Sequence, residues 1–235
     1  SIDSPNATYP TAAAEGRGVG TLNLMGGSLT ASSITLGTGS SRAQGIVNLS
    51  GGILTVDTVS KGIGSGTFHW TAGTLHVNDF GFSLQQDGGV LAPGNSIGTT
   101  AIDGDYRQAA AGSLEIEIAN QGLGGVDYDL VTVNGDVDLD GQLLVRFLDG
   151  FLPAAGSVFD VLTATGTIDA TGLVLAGDEP DAEPWVLTVA PGLAGSSILR
   201  LSTAVAVPEP SSVFLAALGL LALAPWRRRG TAKLS

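Results

Sequence analysis

The amino-acid sequence predicts an all-β protein, in which parallel β-solenoid (β-helix-like) repeats lead into a strand-rich β module and then a short C-terminal hydrophobic helix. Three observations carry this. A twelve-residue pattern recurs through the first hundred residues, apolar and polar residues alternate within it, and 35 glycines among 235 residues punctuate an otherwise strand-forming chain. With 43% hydrophobic and only 14% charged residues, the composition fits neither a helical bundle nor a disordered polyelectrolyte.

Residues 1–17 form a lead-in. The chain opens SIDSPNATYP, with no starting Met, basic segment or apolar run of a secretory signal, which fits a fragment or a processed form.

Residues 18–126 carry the repeats. GTLNLMGGSLTA from Gly20, GIVNLSGGILTV from Gly45 and GTFHWTAGTLHV from Gly66 align without gaps, and a weaker copy, FSLQQDGGVLAP, starts at Phe82. Offsets of 25, 21 and 16 residues are irregular, yet self-similarity near this period is the mark of a solenoid. Leu22 and Leu24, Val47 and Leu49, and Phe68 and Trp70 place apolar side chains on one strand face, with Asn23, Asn48 and His69 between them on the other. After a small-residue corner at Gly26-Gly27, Gly51-Gly52 or Ala72-Gly73 the alternation resumes, with Thr30, Thr55 and His76 on the wet side. Stacked coils bury each other's inward ladders, which a single copy cannot do. A sandwich of antiparallel hairpins would use the same alternation and is the alternative.

Residues 127–204 form the second β module, with a soft boundary at the QGLGGV turn. Strand-like runs recur at 130–133, 143–147, 158–162, 173–175, 185–189 and 198–201, and the acidic, Pro-broken stretch 177–184 reads as a solvated loop. The segment Gly88–Ala119 resembles the closing part of passenger-type β-helices in exported bacterial proteins with autotransporter-associated repeats. Tyr128–Gly166 resembles the module that follows in many of them. This resemblance implies a secreted or surface location and no catalytic residue.

Residues 205–235 differ in kind. Pro208-Glu209-Pro210 keeps the chain extended. An uncharged run follows, in which Val213, Phe214, Leu215, Leu218, Leu220, Leu221, Leu223 and Trp226 are the anchoring residues, and it ends at Arg227, Arg228 and Arg229. Fourteen helical residues span about 21 Å, short of a hydrocarbon layer of about 30 Å. All-round apolarity and the arginine stop still read as a short transmembrane helix, because snorkelling and local thinning accommodate a short span. This order of parts resembles the PEP-CTERM sorting signal, a tail also labelled "ice-binding protein C-terminal domain". The resemblance implies export, inner-membrane anchoring with the arginines cytoplasmic, processing by an exosortase-type transpeptidase, and residence at the cell surface or in the exopolysaccharide matrix of a Gram-negative bacterium.

Charge and chemistry narrow the function. Of 22 acidic residues 21 precede residue 208, against 6 of the 10 basic ones, so the body cannot neutralise phosphates and nucleic acid is excluded as a partner. There is no cysteine, which removes disulfides, thiolate metal sites and a cysteine nucleophile. Asp136, Asp138 and Asp140 before Gly141 have the spacing of a calcium loop, but its twelfth position is Phe147, so a plain strand and turn is favoured over a weak calcium site. His69 and His76 fall at ladder positions and read as surface residues. The i, i+2 pairs Asp103/Asp105, Glu115/Glu117 and Asp127/Asp129 read as wet-face carboxylates.

The expectation is a non-enzymatic surface or matrix protein of structural or adhesive role, without cofactor, with exopolysaccharide as a partner. A secreted polysaccharide-degrading β-helix is the alternative, since such enzymes pair carboxylates along a groove. A water-ordering, ice-binding solenoid is the second alternative, with only Thr30 and Thr55 in register to support it.

Overall fold

A computed structural model describes residues 17–178 and 184–204. Fourteen strands in this part form one sheet that winds as a parallel solenoid. The first three coils are single bent strands, β1 (Val19–Leu36), β2 (Gln44–Lys61) and β3 (Ser65–Phe80). Their pairing is parallel and in the register read from the repeats: Leu22, Val47 and Phe68 align, as do Leu29, Leu54 and Leu75. Pairing between successive coils is parallel, which excludes the antiparallel sandwich.

Later coils are divided into shorter strands. The fourth holds β4 (Leu84–Gln86), β5 (Gly89–Leu91) and β6 (Thr99–Ile102). The fifth holds β7 (Tyr106–Gln108), β8 (Gly112–Ile118) and β9 (Leu130–Val133). The sixth holds β10 (Val137–Phe147) and β11 (Val158–Ala164), and β12 (Ile168–Gly177) begins a seventh. A hairpin of β13 (Trp185–Pro191) and β14 (Ser197–Thr203) closes the described part by pairing antiparallel to β11. Arg200 holds it there through two hydrogen bonds to the Asp160 carboxylate, 2.6 and 3.0 Å.

The irregular spacing has a simple cause. Leu75 pairs with Leu91, an offset of 16, whereas Asp79 pairs with Ala101, an offset of 22. The difference is a loop at 92–98 inserted between the second and third faces. Longer loops, 119–129 and 148–157, enter at the same place in the next two coils, so the offset settles at 31 between Tyr106 and Val137, Val137 and Ile168, and Val133 and Ala164. The boundary expected near residue 127 falls in the second of these loops, within a coil whose strands pair on both sides.

The core is the stack of inward ladders, with Leu49, Leu54, Trp70, Leu75, Leu114, Leu143 and Phe159 fully buried. Coils can stack this closely because the corners lack side chains. At Gly73 φ is +86°, and a Cβ there would lie 2.7 Å from the Gly52 carbonyl oxygen of the coil before. Within the core, the Tyr106 hydroxyl lies 2.7 Å from Gln86 Oε1 and 3.1 Å from Gln108 Oε1. The two amide groups donate in turn to the carbonyls of Gly89, Ser113, Asp140 and Gln142, so a buried polar ladder satisfies the corner backbone.

Candidate functional site

The candidate site is a groove along the solenoid axis, where the third face of each coil turns into the first face of the next. Phe80, Ile102, Val133 and Ala164 are buried and point into the core, so the residues on either side of each must point out. One outward column is Ser33, Thr58, Asp79, Ala101, Thr132 and Thr163, successive partners in register through six coils. The neighbouring column runs through Thr35 and Ser60, whose hydroxyls are 3.3 Å apart, then Gly81, which offers no side chain, and then Asp103, Asn134 and Thr165.

Asn134 Nδ2 donates to Asp103 Oδ1 at 3.0 Å, and the Thr165 hydroxyl donates to Asn134 Oδ1 at 3.3 Å. These side chains are thus held at successive rungs, about 4.8 Å apart. Between the two columns the surface is concave, with a volume of about 560 Å³, and Ser196, between β13 and β14, also lines it. Among the described residues, no Lys, Arg or His lines it.

The other carboxylates are tied into the fold. Asp105 accepts the Asp136 N–H at 2.9 Å, and Asp136 accepts the N–H and hydroxyl of Thr167 at 2.7 and 2.8 Å. The Thr167 N–H is the main reason the Asp136 carboxyl titrates below the usual range. Asp138 pairs with Arg107 at 3.2 Å, and Asp140 lies at the Gly172 corner. Asp136 and Asp138 are therefore engaged separately, with different coils. Among the described residues, no group of three or more His, Asp or Glu is arranged to hold a metal ion.

The expected carboxylate pairs are divided in the same way. Asp103 faces the groove while Asp105 holds the next coil. Glu115 bonds Arg146 at 2.6 Å, and burial raises the Glu117 carboxyl above its ordinary range, with Glu115 adding to it. Asp127 accepts the Leu123 N–H at 2.8 Å, closing a tight loop.

Asp129 is buried, and its two oxygens accept the N–H groups of Gly98 and Glu117, each at 2.8 Å. Burial pushes its carboxyl up to about 7, against the pull of those two donors. It joins the first inserted loop to β8. His69 lies on the outer ladder beside Asn48, as expected. His76 differs from a plain surface residue, being partly buried with Nδ1 donating to the Gly94 carbonyl at 3.1 Å. Thr30, Thr55 and His76 do lie in register, so that threonine ladder ends after two rungs.

Sequence reasoning missed the groove. Its signal is a second repeat, Asp103-Gly104-Asp105, Asn134-Gly135-Asp136 and Thr165-Gly166-Thr167, spaced by 31 residues after short apolar strands.

The residues expected to sort the protein, Pro208, Glu209, Pro210, the apolar run 213–226 and Arg227–Arg229, lie outside the described residues. Among the described residues no helix is long and apolar enough to cross a membrane. Residues 206–229 match the family model described as the PEP-CTERM protein-sorting motif. The motif marks an exported protein, held in a membrane before processing by an exosortase. No curated protein matches the chain.

Proposed function

We propose that this chain, sorted through its PEP-CTERM motif, works after export as a non-enzymatic structural or adhesive element at the cell surface or in the extracellular polysaccharide matrix of a Gram-negative bacterium. The observation that carries the reading is the sorting motif at residues 206–229. The body to which it is joined supports the reading in two ways. Its carboxylates bond backbone N–H groups or arginines at Asp105, Glu115, Asp127, Asp129, Asp136, Asp138 and Asp160, roles that maintain a scaffold. Its acidic balance favours neutral glycans and cations over phosphates.

The test is expression of the full chain in a Gram-negative host with and without an exosortase, followed by immunoblotting of membrane and extracellular fractions. A shortened form outside the inner membrane is expected only when the exosortase is present. Replacing Pro208 and Pro210 with Ala should leave the long form in the membrane. If that variant has the size and distribution of the wild type, the reading fails.

A further inference from the structure

We propose that the groove between the third and first faces binds a neutral, linear, hydroxyl-rich polysaccharide laid along the solenoid axis. This rests on the surface or matrix reading above, and it assigns the ligand to one surface and one charge class. Three observations on the groove point the same way.

The first is periodicity. The groove repeats its chemistry once per coil, so a chain of like units lying along it meets a new polar side chain at each rung, about 4.8 Å on. A compact ligand would use one or two rungs and leave the rest idle. The concave stretch crosses four successive coils, from Asp79 to Thr165, a length matched to several units of a polymer rather than to one compact ligand.

The second is the kind of group presented. Asp79 and Asp103 supply charged acceptors, Thr132 and Thr163 supply hydroxyls that donate or accept, Thr165, whose proton goes to Asn134, accepts, and Asn134 keeps a second N–H to donate. A carboxylate has two acceptor oxygens and can take hydrogen bonds from neighbouring hydroxyls of one sugar ring. Asn134 and Thr165 are pre-aligned by their bonds to Asp103 and to each other, which lowers the ordering cost on binding.

The third is charge. Two aspartates are exposed in the groove and no cationic residue lines it among the described residues. A polyuronate or a sulfated glycan would bring like charge to like charge, so the selection is against anionic polymers.

Affinity electrophoresis of the full chain in native gels tests this, with hydroxyethylcellulose, soluble starch and galactomannan as neutral probes and alginate as the anionic one. At least one neutral probe should retard the wild type while alginate does not. Asp79→Ala with Asp103→Ala removes both charged acceptors. Thr132→Arg obstructs the groove by an independent route, so one variant decides the matter if the other fails to fold by circular dichroism. Each should weaken binding about tenfold or more, the effect of losing roughly 1.4 kcal/mol.

Retardation by none of the neutral probes overturns the proposal, as does equal retardation of wild type and variants. Equal retardation by alginate overturns the charge class. Fractionation of the motif variant is read separately, so a surface protein that binds no glycan is distinguished from one that never leaves the membrane.

Discussion

At the scale of single residues, polar side chains such as Asn48, Asn134, Asp105 and Asp136 act on the coil next to their own. Asp129 shows how far this goes, since it brings a carboxylate into the interior to accept two backbone N–H groups. Its folded-state value of about 7 lies above the unfolded one of about 4. The folded state therefore binds more protons in between, and stability falls as pH rises from about 4 to 7, by at most about 1.4 kcal/mol per pH unit. Glu117, raised in the same direction, adds to this trend. Asp136 and Asp169, both lowered, act in the opposite sense only as pH drops through the ordinary carboxylate range. Thermal melts at pH 5 and 7.5 should show a higher melting temperature at pH 5. Asp129→Asn should shrink that difference while costing about 1–3 kcal/mol, because its amide nitrogen cannot accept the second N–H. An unchanged pH difference in the variant would assign the effect elsewhere. Tyr106→Phe should likewise cost about 1–3 kcal/mol in a urea melt, by removing the one hydroxyl proton that lies between the buried Gln86 and Gln108 oxygens.

At the scale of the element, the corner decides which glycines matter. A Cβ on Gly51 would strike the Met25 carbonyl of the preceding coil, whereas one on Gly26 would meet nothing within 4 Å. Neither residue needs a positive φ. Gly51→Ala should therefore cost about 1–3 kcal/mol through overpacking, and Gly26→Ala should be neutral or stabilise by up to about 1 kcal/mol through the unfolded chain. Equal effects in chemical denaturation would show that the corner tolerates side chains. The same elements explain what was legible in the sequence. Leu22 to Trp70 could be aligned because β1, β2 and β3 have no inserted loop, so sequence spacing equals coil spacing. From Ala92 onward, inserted loops at 92–98, 119–129 and 148–157 separate the faces, and alternation still identifies strands while no longer showing what they stack on. Asp103, Asn134 and Thr165 share a 31-residue spacing and a following glycine, but being chemically different they show themselves as one ladder only through the register of β6, β9 and β11. Asp136 illustrates the converse, a calcium-like spacing whose side chains the coils put to separate structural uses.

At the scale of the whole molecule, a solenoid is stabilised by each coil's neighbours, so its stability should vary along the axis. Inward residues report the gradient directly. Leu54 and Val56 in β2 are 0% and 2% exposed, while their register partners Leu29 and Ala31 in β1 are only partly buried. Leu173 and Leu175 in β12 are also partly buried, although Leu143 and Val145 in β10 are fully enclosed. Among the described residues β1 pairs with β2 alone, and β10 is flanked by β7 and β8 on one side and β12 on the other. A coil paired on one side has both fewer ladder hydrogen bonds and less packing than a coil paired on two, and both lower its opening free energy. Hydrogen exchange should accordingly protect β3, β8 and β10 most, with amides in β1 exchanging about 100-fold faster, or roughly 3 kcal/mol less stable. Asp129 ties the 92–98 loop to β8, so the Gly98 amide should follow the protected class despite lying in a loop, and Asp129→Ala, which removes both acceptor oxygens, should release it. Uniform protection from β1 to β12 would instead mean that the coils open as one unit, and the nearest-neighbour account of this solenoid would be wrong.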